Sequence, residues 1–214
     1  MDAEKLKKSI EEAIEKAPER KFKESVELAI NLKDVDLSNP KNRINEEIIL
    51  PNGRGRKLKI GVIGGNEMIA KVKDIADRTI TADELDKLKD DKKSAKKIVN
   101  DVDFFIAETA LMARVGKILG GVMGPRGKVP RPVPANVDPV NIVNNLRRTV
   151  RARSKEKPVI HVAIGTREME VDKVAQNGNE VLKRITSKLE KGEENIRAIY
   201  VKTTMGPAVK MEMK

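Results

Sequence analysis

Apolar residues recur at spacings of three and four near the start of the chain, where Leu6, Ile10, Ala13, Ile14 and Ala17 make one stripe among lysines and glutamates. That period predicts an amphipathic helix over residues 2–17, ended by Pro18. From Phe22 the period drops to two: Phe22, Val26, Leu28, Ile30 and Leu32 fall on one side, Lys23, Ser25, Glu27, Ala29 and Asn31 on the other. The alternation predicts a half-buried strand with a polar face. "NEEIILP" (45–51) reads as a second strand and "NGRGRK" (52–57) as a turn or linker.

The pattern then changes. "KLKIGVIGG" (57–65) is a short apolar run of the kind buried in a parallel sheet, and "NEMIAKVKDIAD" (66–77) a helix capped by Asn66. Thr81 caps a helix over "ADELDKL" (82–88), "SAKKIVN" (94–100) reads as another, and "VDFFIAET" (102–109) is a buried strand with the helix "ALMARVGKIL" (110–119) behind it. Residues 119–137 concentrate proline, glycine and cations with no acid and no aromatic, and read as a loop. It leads into a helix over "DPVNIVNNLRRTV" (138–150), with Asp138 as cap and Pro139 in its first turn. "PVIHVAIG" (158–165) alternates, residues 171–190 are a long amphipathic helix, and residues 195–214 give two strands broken at Gly206 and Pro207.

Strands alternating with helices over residues 57–149 argue for an α/β domain. Residues 1–56 and residues 150–214 each lack the means to bury their apolar faces alone. Joined, they make one α+β sheet domain with the α/β domain inserted between them, so the fold class is mixed, α/β and α+β, in two domains. No internal repeat is found.

Charge adds a partner class. The 214 residues carry a formal charge of +11, which attracts a polyanion more readily than a neutral metabolite. Between Arg114 and Arg153 lie Arg114, Lys117, Arg126, Lys128, Arg131, Arg147, Arg148, Arg151 and Arg153, against the single acid Asp138, so most of the excess is local. A solvated face mixes signs, and this stretch does not. Heat tolerance or solubility is the bland alternative, since 36% charged residues exceeds the usual share of about 25%. The only aromatics are Phe22, Phe104, Phe105 and Tyr200, too few for multi-base stacking; recognition would rest on backbone shape, phosphates and sugar hydroxyls, which suits structured RNA.

The absence of cysteine excludes disulfides, thiolate catalysis and cysteine-ligated metals, and one histidine, His161, makes a zinc site hard to assemble. No signal peptide and no run of membrane-spanning length is present, so a cytosolic protein without a membrane partner is expected. Catalytic motifs fail in turn. After "KIGVIGG" the glycines do not continue as G-x-G-x-x-G, and "GVMGPRGK" has Val122 where a phosphate loop needs its first glycine and Val129 where it needs Ser or Thr. His161 alternates with Ile160 and Val162 as an ordinary sheet residue. No cofactor, metal or catalytic residue is expected, and the protein reads as no enzyme.

Three segments resemble a known family in its order and spacing. "GKILGGVMGPRGKVPRPVP" resembles the Gly-Pro-Arg-Gly loop of the large-subunit ribosomal protein L-one family, "YVKTTMGPAVKM" its C-terminal Thr-Met-Gly-Pro strand, and "KFKESVELAINLKDVD" its first strand, with Phe22 at the family's aromatic position. The proline-rich "KVPRPVP", the compact N-terminus and the Lys and Glu content resemble the archaeal branch. The resemblance implies a first domain built from both termini and an inserted Rossmann-like second domain joined by a hinge. It further implies binding to large-subunit ribosomal RNA in the mobile stalk, beside the exit site for tRNA, and to a mimic of that site in the protein's own mRNA, which represses translation. The chain is expected to be a monomer outside the ribosome.

Carried over by position, the RNA-binding surface is the exposed sheet of the first domain, with Lys21, Phe22, Glu24, Ser25 and Glu27 near Thr203, Thr204, Met205 and Gly206. Thr203 and Thr204 would offer hydroxyls to ribose, Gly206 a close backbone approach, and Phe22 with Met205 an apolar platform, although plain core packing would be the reading of those two without the resemblance. Ala198 stands where some relatives have serine, removing one hydroxyl contact. Arg126, Lys128 and Arg131 are expected as secondary RNA or interdomain contacts. Two rivals from other classes are an α/β enzyme or binding protein using the basic loop to clamp a phosphorylated substrate, and a DNA-binding architectural protein, for which no groove-reading helix is found.

Overall fold

The computed structural model describes residues 3–154 and 157–212. In chain order the elements are α1 (Ala3–Glu15), β1 (Ser25–Leu32), β2 (Asn45–Ile49), β3 (Ile60–Ile63), α2 (Asn66–Val72), β4 (Arg78–Ile80), α3 (Ala82–Asp90), α4 (Lys92–Asp101), β5 (Phe104–Glu108), α5 (Met112–Met123), β6 (Arg131–Val133), α6 (Pro139–Leu146), β7 (Thr149–Arg153), β8 (Val159–Thr166), α7 (Val171–Thr186), β9 (Ile196–Thr203) and β10 (Val209–Met211). They fall into two compact units, Met1–Arg56 with Arg148–Lys214, and Lys57–Arg147. Asp2 of the expected first helix, and Met213 and Lys214 of the expected last strand, lie outside the described residues.

The unit made from both chain ends holds an antiparallel sheet in the order β10-β9-β1-β8 and a two-stranded β2-β7 ribbon. Val26, Leu28 and Ile30 alternate with polar neighbours, so one face of the sheet carries them together with Ile160, Val162, Ile164, Ile199 and Val201. Helices α1 and α7 cover that face, with Leu6, Ile10, Val174, Val181 and Leu182 fully or almost fully buried against it. Buried Asn177 of α7 donates to the carbonyls of Gly53 and Ile164 and accepts the Asn52 N–H, which holds the 52–53 turn to the helix. The opposite sheet face presents Ser25, Glu27, Ala29 and Asn31 of β1, as the alternation predicts, with Ala29 buried because it lies on the central strand between His161 and Tyr200.

The inserted unit has an all-parallel sheet in the order β4-β3-β5-β6. One apolar cluster joins Phe105 and Ala107 to α3, α4 and α5; a second joins Ile60, Val62, Phe104 and Ile106 to α2 and α6. A sheet buried on both faces explains why its strands read as continuous apolar runs. Thr81 accepts the N–H of Glu84 while Glu84 accepts that of Thr81, a reciprocal cap at the start of α3.

Four local expectations are corrected. Asn66 is the first residue of α2, and Gly65 occupies the cap position without a side-chain bond. The helix begun at Pro139 stops at Leu146, and Thr149–Arg153 is strand β7, because Thr149 and Val150 pair with Ile49 and Ile48. Residues 119–137 are no single loop: α5 runs to Met123, and Arg131–Val133 add to the parallel sheet beside β5. Phe22 precedes β1, which starts at Ser25.

Candidate nucleic-acid interface

The expected surface residues gather where β1 begins and β9 ends. Because the strands are antiparallel, Val26 faces Thr203 and Glu27 faces Lys202, so the segment before β1 lies beside the turn after β9. The ladder continues past the strands: Thr204 donates its N–H to the Ser25 carbonyl at 3.0 Å, and the Thr204 hydroxyl accepts the Ser25 N–H at 3.1 Å. A hydroxyl has two lone pairs, so half-exposed Thr204 keeps acceptor capacity. Phe22 is 54% exposed and Met205 59% exposed, and neither packs into the core. Lys21 is exposed, and Lys23 pairs with Glu168 at 2.6 Å between two exposed side chains, a contact of little energetic weight.

Two of these residues face inward. Thr203 has the parity of Ile199 and Val201 and is fully buried, so its hydroxyl does not reach the surface. Glu24 is 2% exposed; its carboxylate accepts the Met205 N–H at 3.0 Å and lies 3.6 Å from the Arg167 guanidinium. Its place is beneath the surface, where it holds the turn. Gly206 also acts inward: an added Cβ would stand 2.4 Å from Thr203 Oγ1 and 3.0 Å from Ala17 Cβ, so the missing side chain is what lets the turn close on the segment after α1.

Residue patterning overlooked two supports. Lys202 donates from Nζ to the Thr204 carbonyl at 3.0 Å, and Arg167 donates to the carbonyls of Ala17 and Pro18. Lys202 was findable as the polar-face residue two before Thr204. Arg167 carried no local signal, since its partners lie about 150 residues away in sequence. On the outward face, Tyr200 stands in register with Lys210 and Ala29, and Ala29 with His161, which puts the only tyrosine and the only histidine in one cross-strand row.

The basic stretch is spent differently from its reading in sequence. Lys128 Nζ donates to the carbonyls of Val99, Asn100 and Val102, closing the C-terminal end of α4, and burial pulls its ammonium below the ordinary lysine range, against the opposing pull of Asp103 and Asp101. These three bonds commit its ammonium to the end of α4 within the inserted unit. Arg126 is exposed and bonds Asn100 and the Val122 carbonyl, while Arg131 is exposed on β6. Arg114 pairs with Asp86, and Arg151 with Glu47. Arg147 bonds the carbonyls of Leu58 and Ile75 and pairs with Asp77 at 2.9 Å.

The phosphate-clamp rival places its anion on the basic loop; the strand ends of the inserted unit are a separate place for one. In parallel α/β sheets, phosphoryl ligands lie beyond the carboxyl ends of the strands, at the turn into a helix. There the Gly65 N–H is already donated to Glu108 Oε2 at 2.8 Å, so a carboxylate holds the position an anion would take. Among the described residues no helix is long and apolar enough to cross a membrane.

Comparison with known proteins agrees across the whole chain. The model of the Ribosomal protein L1p/L10e family matches residues 6–207. The chain is 55% identical over 212 residues to the large ribosomal subunit protein uL1 of Thermoplasma acidophilum, covering 99% of this chain and 98% of that one. The protein of the same name from Archaeoglobus fulgidus is 45% identical, with 99% of each chain covered. A match that takes in both strands of the interface and the inserted unit between them places this chain in the Ribosomal protein L1p/L10e family.

Proposed function

We propose that the protein is a structural component of the large ribosomal subunit in the cytoplasm, binding large-subunit ribosomal RNA in the mobile stalk near the tRNA exit site through the unit made from both chain ends. Residues 1–56 and 150–214 are the RNA-binding domain of this reading, and residues 57–149 the inserted one. The names of the relatives, large ribosomal subunit protein, support the assignment to that particle. The observation that carries the choice of surface is the exposure of Phe22 and Met205 on two segments tied together at Glu24 and Ser25. An apolar pair held at a water-facing edge beside Thr204 and main-chain groups suits a folded ribose-phosphate backbone, where excluding water strengthens each polar contact. The same surface would take a matching fold in the protein's own mRNA, repressing its translation, and exit-site tRNA would pass beside the bound protein. Outside the ribosome the chain acts as a monomer.

The test is competition among a large-subunit ribosomal RNA transcript carrying the stalk, an unstructured single strand and duplex DNA, over a salt series. Binding is expected to favour the folded transcript by at least a hundredfold at physiological salt. Equal affinity for all three, with only the salt slope of phosphate neutralisation, would leave a nonspecific polyanion binder.

A further inference from the structure

Between Pro18 and Ser25 the chain makes no regular element, yet it holds Lys21 and Phe22, and the turn after β9 presents Met205. Both are fastened by half-buried Arg167 and buried Glu24. Arg167 donates from Nη2 to the Ala17 carbonyl at 3.2 Å and from Nη1 to the Pro18 carbonyl at 3.0 Å, so it pins the start of the Phe22 segment. Its backbone N–H donates to the Glu24 carbonyl at 3.0 Å, which pins the end. Its guanidinium lies 3.6 Å from Glu24 Oε2, while Glu24 Oε1 accepts the Met205 N–H. Three segments distant in sequence, residues 17–24, Arg167 and the Met205 turn, therefore meet at two side chains, one with 1% and the other with 28% of its area exposed.

We propose that Arg167 and Glu24 are positioning residues for the RNA surface: they set the Phe22 segment and the Met205 turn in one geometry without themselves touching RNA. This rests on the reading that the surface binds ribosomal RNA. A planar guanidinium supplies forked donors that one ammonium cannot reproduce, so the role belongs to arginine and not to positive charge alone. A carboxylate beneath a surface that receives phosphates is electrostatically unfavourable for binding, and its buried place is intelligible as the acceptor that orders the turn.

That tension gives a test by sign, with Arg167→Lys and Glu24→Leu in the full chain and the stalk-bearing transcript as probe. Glu24→Leu removes both the negative charge and the acceptor of the Met205 N–H, so electrostatics alone predicts tighter binding; positioning predicts binding at least fivefold weaker. Unchanged or tighter binding overturns the proposal. Arg167→Lys keeps the charge and leaves Glu24 a cation, so it retains the fold, and affinity is expected to fall about tenfold at an unchanged log-log salt slope. Wild-type affinity for this variant shows that charge suffices and overturns it. Amide exchange without RNA separates this outcome from failure of the ribosomal reading: the Met205 amide should exchange at least tenfold faster in Arg167→Lys while Leu28 in β1 keeps its protection. Equal protection of Met205 sinks the proposal even where the transcript binds; loss of discrimination among nucleic acids by the wild type sinks the ribosomal reading instead.

Discussion

The Lys128 ammonium lies 2.5 Å from the carbonyl oxygen of Val102 and 2.8 Å from that of Val99, filling the end of α4 with a charge that in sequence belongs to the most basic stretch of the chain. Carbonyls at a helix end have no partner within the helix, and a cation there satisfies them and complements the helix dipole. Replacing Lys128 with Met keeps the apolar stem and orphans the carbonyls. Urea unfolding should show a loss of about 1–3 kcal/mol, with the salt slope of RNA binding unchanged. A slope lowered by about 0.7–0.9 at wild-type stability would make Lys128 a phosphate contact.

Met205→Asp places an anion on a side chain that is 59% exposed. The fold should survive, with a melting temperature near that of the wild type, because no core contact is lost. Affinity for the transcript should drop at least tenfold, or about 1.4 kcal/mol. Unchanged affinity would move the RNA away from this turn.

Gly206→Ala tests whether the turn must close on Ala17. The new Cβ would meet Thr203 Oγ1 at 2.4 Å and Ala17 Cβ at 3.0 Å, so the turn must open or the chain at Ala17 must shift. Overpacking of this kind costs about 1–3 kcal/mol. Thermal unfolding should register it, and RNA binding should weaken although no RNA-facing group has been removed.

Asp77 links the inserted unit to acid stability. Burial opposes its charge, but the Ile60 N–H, Arg147 and Lys57 outweigh that and hold the carboxyl below its ordinary value. A carboxyl lowered in the folded state stabilises it above the unfolded value of about 3.9 and loses that contribution as pH falls through the lower folded value. Urea midpoints of the wild type should therefore decline below about pH 4. Asp77→Asn should start less stable at neutral pH and decline less; parallel declines would clear Asp77 of the role.

Much of the architecture was legible because it follows from short-range periodicity. The stripe of Leu6, Ile10 and Ala13 is buried, the alternation from Val26 to Ile30 is the core face of β1, and Thr81 caps α3. Reading failed where a neighbour distant in sequence overrode a local signal. Thr149 and Val150 continue the apolar pattern of α6 but pair with β2, and residues up to Met123 stay helical despite Gly120 and Gly121 because Leu119 and Met123 are buried against the parallel sheet.

The candidate interface divides the same way. The alternation along the chain determined that Ser25 and Glu27 face away from the core, since polar positions on a period of two must do so, whereas the choice of these strands and of Thr204 beside Gly206 came from the resemblance to the family. Only the tertiary structure decided that Glu24 points inward to accept the Met205 N–H, that Lys128 caps a helix, and that Arg167 bonds the carbonyls of Ala17 and Pro18. Period and charge are properties of neighbours along a chain. Whether a carboxylate or an ammonium faces solvent depends on which carbonyls and N–H groups the folded backbone brings within about 3 Å of it, and those come from segments far away in sequence.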